Sequence, residues 1–197
     1  MMEHIFQKGT NDQKPTFLML HGLGGTERDL IPLAKKLQPE ASVLSVRGQV
    51  LENEKCMFYK SNEEDLTFRT EELYQFINEA AEKYRFHRNN IVALGYSNGA
   101  AMALSLLFHH ADVLKAAILY HPQVPRCDME LPDLSDVSVF IGASKNNPFI
   151  SRNETELLEK MLKDANAHVT LHWENSKQYL SGEIFAASRS WYENIIS

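Results

Sequence analysis

Short continuous apolar runs alternate along this chain with stretches whose apolar residues recur at helical spacing. Residues 16–20 (TFLML), 42–46, 91–97 (IVALGYS), 116–120, 137–143 and 168–173 read as strands. Between them, residues 26–37 predict a helix, with Thr26 and Asp29 spaced like a capping box. From 66 to 84, Leu66, Leu73, Phe76, Ile77, Ala80, Ala81 and Tyr84 share one helical face, while Glu71, Glu72, Glu79, Glu82 and Lys83 share the other. Residues 98–109 are apolar nearly all round, which predicts a buried helix. Ser151 and Glu154 form a second capping box before Leu157, Leu158, Met161 and Leu162. Ser181 is placed to cap a last helix carrying Ile184, Ala187, Trp191 and Ile195.

Strands without polar alternation are buried on both faces, so the alternation implies an α/β protein with a mainly parallel sheet covered on each side. No repeat, linker or low-complexity tract divides it, and residues 1–197 read as one domain. In such sheets ligands bind at the carboxyl ends of the strands. The chemistry is therefore to be sought after Leu20, Gly95, Tyr120, Gly142 and Trp173.

Composition narrows the classes. A net charge of -6 argues against nucleic acid as a partner, because a phosphate-binding footprint is basic. No apolar run reaches the roughly 18–20 residues that span a bilayer, and the polar start MMEHIFQKGTNDQKP lacks a signal peptide's apolar core. With two cysteines, Cys56 and Cys127, and no ligand-like spacing, the expectation is a cytoplasmic protein with reduced thiols, no metal and no cofactor. Nothing around Cys127 points to a lowered thiol pKa.

Gly95-Tyr96-Ser97-Asn98-Gly99 is a G-x-S-x-G motif lying between a predicted strand and a predicted helix. In that context the serine sits on a sharp turn above the sheet, and the glycines allow strand and helix to approach. The N–H of Asn98, at the helix start, is then an oxyanion donor. His21-Gly22-Leu23-Gly24-Gly25, after another strand, is a glycine-rich turn whose Leu23 N–H is the second candidate donor.

The segments HGLGGTERDLIPLA, SVRGQVLEN, NNIVALGYSNGAAMALSLLF and LYHPQVP resemble the small carboxylesterase/phospholipase family of the α/β-hydrolases. The likeness is strongest to bacterial members linked to hydroquinone resistance. The resemblance runs from about Pro15 to Trp191 and implies a three-layer α/β-hydrolase fold with Ser97 as nucleophile for small carboxylic esters. It also implies a triad ordered Ser, Asp, His. At the Asp position stands Asn147, in GASKNNP, and at the His position stands Gln178, in ENSKQYL. A third departure is the shorter connection CMFYKSNEEDL over the site.

Serine is a weak nucleophile without a base, and Gln178 cannot be one. Turnover is therefore expected to be weak or absent. The alternative is a non-catalytic pseudo-hydrolase that binds an ester or carboxylate ligand. His121, following the strand AAILY, and His21, in the glycine turn, are the residues that could substitute as base. On the last helix Trp191 and Tyr192 form an aromatic pair; one of them would contribute to a homodimer contact unless both pack on the protein's own sheet.

Overall fold

The computed structural model describes residues 2–60, 62–125, 129–175 and 180–196. Strand β1 (His4–Gln7) is followed by β2 (Thr16–Leu20), α1 (Ile31–Leu37), β3 (Val43–Val46), β4 (Val50–Glu52) and β5 (Lys55–Met57). Then come α2 (Glu63–Tyr84), β6 (Ile91–Tyr96), α3 (Asn98–His109), β7 (Ala116–Tyr120), β8 (Ser138–Ser144), α4 (Arg152–Asp164), β9 (His168–Glu174) and α5 (Gly182–Ile196). Seven strands form one sheet in the order β1-β3-β2-β6-β7-β8-β9, and β4 pairs with β5 as a separate hairpin. All pairings in the large sheet are parallel except that of β1 with β3.

The strands are apolar at every position because both faces are covered. Leu18, Leu20, Ala93, Leu119 and Ile141 face the side packed by α2, α3 and α4. Phe17, Met19, Val92, Leu94, Ile118 and Phe140 face the side packed by α1 and α5. Every residue of α3 from Gly99 to Phe108 is buried, as its uniform hydrophobicity predicts.

The sequence-based boundaries hold within a residue or two for β2, β3, β6, β7, β8, β9 and α3. The helix expected at 26–37 is shorter and begins at Ile31. The Asp29 carboxylate accepts from the Thr26 N–H at 3.1 Å and from its hydroxyl at 2.8 Å, which closes a turn before the helix. Pro32, within the first two helical positions, then starts α1 with Leu30 as its N-cap. The long helix starts three residues earlier than its apolar stripe, because the Asn62 side chain accepts from the Asp65 N–H at 2.8 Å and caps it. Ser151 caps α4 through the Glu154 N–H at 3.1 Å, and Ser181 receives the Ile184 N–H at 3.2 Å, as expected.

Two elements have no counterpart in the sequence reading: the antiparallel edge strand β1 and the β4–β5 hairpin. The hairpin turns through Asn53 and Glu54, both with positive φ, at 49° and 62°. Of the two settings open to the aromatic pair of α5, the structure shows packing on the protein's own sheet. Tyr192 is buried against Phe17 with ring centroids 5.4 Å apart, and Trp191 packs on Phe140 at 5.7 Å, so both turn toward the protein's own sheet.

Candidate active site

The motif residues meet at the carboxyl ends of β2, β6 and β7. Strand β6 ends at Tyr96, and Ser97 takes φ 51° and ψ -113°, a backbone conformation that non-glycine residues rarely occupy. It is held there from both sides: the Ser97 N–H donates to the Tyr120 carbonyl at 2.9 Å, and the Ser97 carbonyl accepts from the Ala101 N–H at 3.0 Å. The flanking glycines are required by close approach. A Cβ on Gly99 would lie 2.1 Å from the Leu20 carbonyl oxygen, and one on Gly95 would lie 2.6 Å from the Ala100 Cα. Helix α3 is thus pressed onto the ends of β2 and β6, with Ser97 at its N-terminus.

Asn98 is the first residue of α3, where the helix supplies no acceptor for the N–H. Its side-chain oxygen accepts from the Phe58 N–H at 2.8 Å and ties the helix start to the chain leaving β5. Across the cleft, the turn after β2 places Leu23 between Gly22 and Gly24. The Gly24 N–H donates to the Cys56 carbonyl at 2.7 Å, and the Gly25 N–H donates to the Gly22 carbonyl at 3.0 Å.

A cavity of about 520 Å³ lies between these turns, lined by Leu23, Glu52, Met57, Tyr59, Tyr96, Ser97, Asn98, Gln123 and Phe149. Burial pushes the phenol pKa values of Tyr59 and Tyr96 up, so both rings stay neutral. Burial likewise pushes the Cys56 thiol up, and that thiol donates to the Gly48 carbonyl at 2.8 Å, a structural rather than reactive setting.

The structure separates the two candidate substitute bases. His21 is buried, with Nδ1 2.7 Å from the Gly22 carbonyl and Nε2 3.0 Å from the Gly48 N–H. The N–H of Gly48 can only donate, so Nε2 is the acceptor and the proton sits on Nδ1. Both nitrogens are engaged, and burial holds the His21 pKa below its ordinary value. His21 therefore holds the glycine turn to the end of β3 and has no lone pair left for Ser97. His121 has φ 50°, and its side chain is fully enclosed. Its Nε2 lies 3.6 Å from Oε1 of the equally buried Glu174 at the end of β9.

Glu174 was not singled out by sequence reading. It gathers three elements: its carboxylate faces His121, accepts from the Ser181 hydroxyl, and its carbonyl accepts from the Lys145 N–H at 2.9 Å. The available signal was a carboxylate directly after the strand HVTLHW, at the edge where the site had to lie.

Asn147 stands in the turn after β8. Its Oδ1 accepts from the N–H groups of Phe149 at 2.9 Å and Ile150 at 3.2 Å, an Asx-type turn. Neighbouring Asn146 donates to the Asn175 carbonyl at 2.8 Å, tying this turn to the one after β9. Gln178 and Cys127 lie outside the described residues. Among the described residues no group of three or more His, Cys, Asp or Glu side chains could hold a metal ion, and no helix is long and apolar enough to cross a membrane.

A strained serine between a parallel strand and a buried helix, facing a glycine turn at the same end of the sheet, defines an α/β-hydrolase fold. The dienelactone hydrolase family model matches residues 48–176, and the chain belongs to that family. It is 45% identical over 201 residues to MhqD of Bacillus subtilis (strain 168), a protein named as a hydrolase, covering 99% of this chain and all of that one. A Bacillus cereus carboxylesterase crystal structure superposes with a TM-score of 0.97 at 52% identity, covering 98% of this chain and 94% of the other. The structure of YahD with malic acid matches at a TM-score of 0.93 and 25% identity, over 98% of this chain and 99% of that one. By family and by these neighbours the chain is a carboxylesterase-like hydrolase.

Proposed function

We propose that this chain attacks small carboxylic esters through Ser97, with the N–H groups of Leu23 and Asn98 as oxyanion donors, and that its turnover is weak. The observation that carries the nucleophile is the strained Ser97 backbone, φ 51° at the N-terminus of a buried helix, a cost that a plain turn would not retain. Ser97 Oγ would form the bond to the ester carbonyl carbon as the carbonyl π bond opens and charge develops on its oxygen, the Oγ proton passing to water. The carbonyl then re-forms as the ester C–O bond breaks and the alcohol leaves, and a water releases the acid from Ser97.

The low turnover follows from the residues at the other two triad positions. Asn147 cannot stabilise an imidazolium, and its oxygen is committed to the Phe149 and Ile150 N–H groups. Gln178 has no basic lone pair at neutral pH. In serine proteases an Asp-to-Asn change costs about 10⁴ in kcat and loss of the His about 10⁶. The committed Asn147 oxygen also favours a second reading, a scaffold that binds an ester or carboxylate at the old site without turnover.

The test is hydrolysis of a short p-nitrophenyl ester alongside labelling by a fluorophosphonate serine probe. Wild type is expected to turn over slowly and label at Ser97, Ser97→Ala to lose both, and Asn147→Asp/Gln178→His to gain at least about 10²-fold. A silent wild type with an active double variant would select the binding scaffold. Labelling that persists in Ser97→Ala would remove Ser97 as the nucleophile.

A further inference from the structure

The walls around Ser97 carry an asymmetry of charge. Met57, Leu23 and Phe149 present apolar surface to the cavity, and Leu23 and Phe149 remain 52% and 69% exposed, two of only five large apolar side chains so exposed among the described residues. Tyr59 and Tyr96 are held neutral by burial, and Gln123 offers an amide. Glu52 is the one carboxylate among the described lining residues, and no lysine, arginine or histidine is among them.

Glu52 reaches the cavity because of the hairpin's register. Glu52 pairs with Lys55 and Val50 with Met57, so strand alternation puts Val50, Glu52, Lys55 and Met57 on one face. On that face Val50 is buried, while Glu52 and Met57 line the cavity. Lys55, the cross-strand partner of Glu52, is not among the described lining residues; its Cβ and Cγ are the atoms nearest to where a Cβ on Gly24 would sit, at 4.0 and 3.8 Å.

We infer that the site selects esters whose acyl part is uncharged and apolar, and that Glu52 is the specificity determinant that rejects an anionic acyl group. This rests on the reading of Ser97 as the reacting group. An apolar acyl chain gains burial against Met57, Leu23 and Phe149. A carboxylate on that chain would lose water, find no cation on the described walls, and face Glu52, so both missing attraction and added repulsion discriminate against it. At roughly 6 Å in a water-facing site, one like charge is worth about threefold to tenfold in an equilibrium constant.

The experiment compares two acyl groups of equal length, in p-nitrophenyl butyrate and p-nitrophenyl hemisuccinate. The ratio of their kcat/KM values is measured for wild type, Glu52→Gln and Glu52→Lys. Binding of the two corresponding p-nitroanilides, which are stable amides, is measured in parallel by calorimetry. Wild type should prefer the butyryl compound about tenfold or more. Glu52→Gln should narrow that ratio about threefold and Glu52→Lys about tenfold, the gain falling on the anionic compound. Equal ratios in all three proteins, or a wild type that prefers the hemisuccinyl compound, would overturn the inference. If neither ester is hydrolysed, the reading of Ser97 as catalyst fails by itself and the anilide affinities still decide the role of Glu52.

Discussion

His21 shows how much a single buried side chain can settle. Its two nitrogens are satisfied only in the neutral form, because a second proton would oppose the Gly48 N–H. Burial, partly offset by the Gly22 carbonyl, holds its folded pKa below the unfolded value. The unfolded chain therefore binds more protons than the folded one in the window between the lowered folded pKa and the unfolded value near 6.5. The stability it contributes is fully present above that unfolded value and is lost as pH falls through the folded one. The urea midpoint should thus drop between pH 7 and pH 5, and His21→Gln should flatten that slope. An unchanged slope in His21→Gln would show that the neutral imidazole is not linked to stability.

At the scale of elements, the site depends on turns that are tied to one another across the sheet end. The β8 and β9 turns meet through Lys145, Asn146 and Asn175, while Glu174 joins β9 to His121 and to Ser181 at the start of α5. Removing the carboxylate in Glu174→Ala takes away the group facing buried His121 and frees the Ser181 hydroxyl that caps α5. The loss should be about 3 kcal/mol by urea denaturation. Glu174→Gln should lose less, because an amide oxygen can still accept from Ser181. Equal losses for the two would mean that shape, not hydrogen bonding, is what Glu174 supplies.

Over the whole molecule, one sheet carries two apolar layers, and neither layer can persist without the strands that both share. Tyr192 belongs to the layer under α1 and α5, where burial pushes its phenol up to about 12, and Leu104 belongs to the layer under α2 and α3. Tyr192→Ala and Leu104→Ala should each lower the same single unfolding transition, by about 3–5 kcal/mol. If the two variants split it into separate steps, the chain would consist of more than one cooperative unit.

Periodicity sufficed for the parallel strands and for α3, because burial on both faces leaves no polar position to blur the pattern. It failed where structure depends on contacts far along the chain. Strand β1 is half-buried at every position, and its place is set by pairing with β3. The hairpin is three residues on each side, too short for alternation to register. Local chemistry read in isolation also overstated α1, where Thr26 and Asp29 bond to each other before the helix rather than at its start.

The sequence by itself determined the fold class and the place of Ser97 on its turn, since these follow from residue identity and local spacing; that Asn147 and Gln178 stand where an acid and a base would is what the family resemblance implies. Only the tertiary structure decided which histidine nitrogens are engaged, that Glu174 stands opposite His121, and that Glu52 reaches the cavity. Those relations join residues as far as 53 positions apart, and nothing in the local pattern encodes which buried group will meet which.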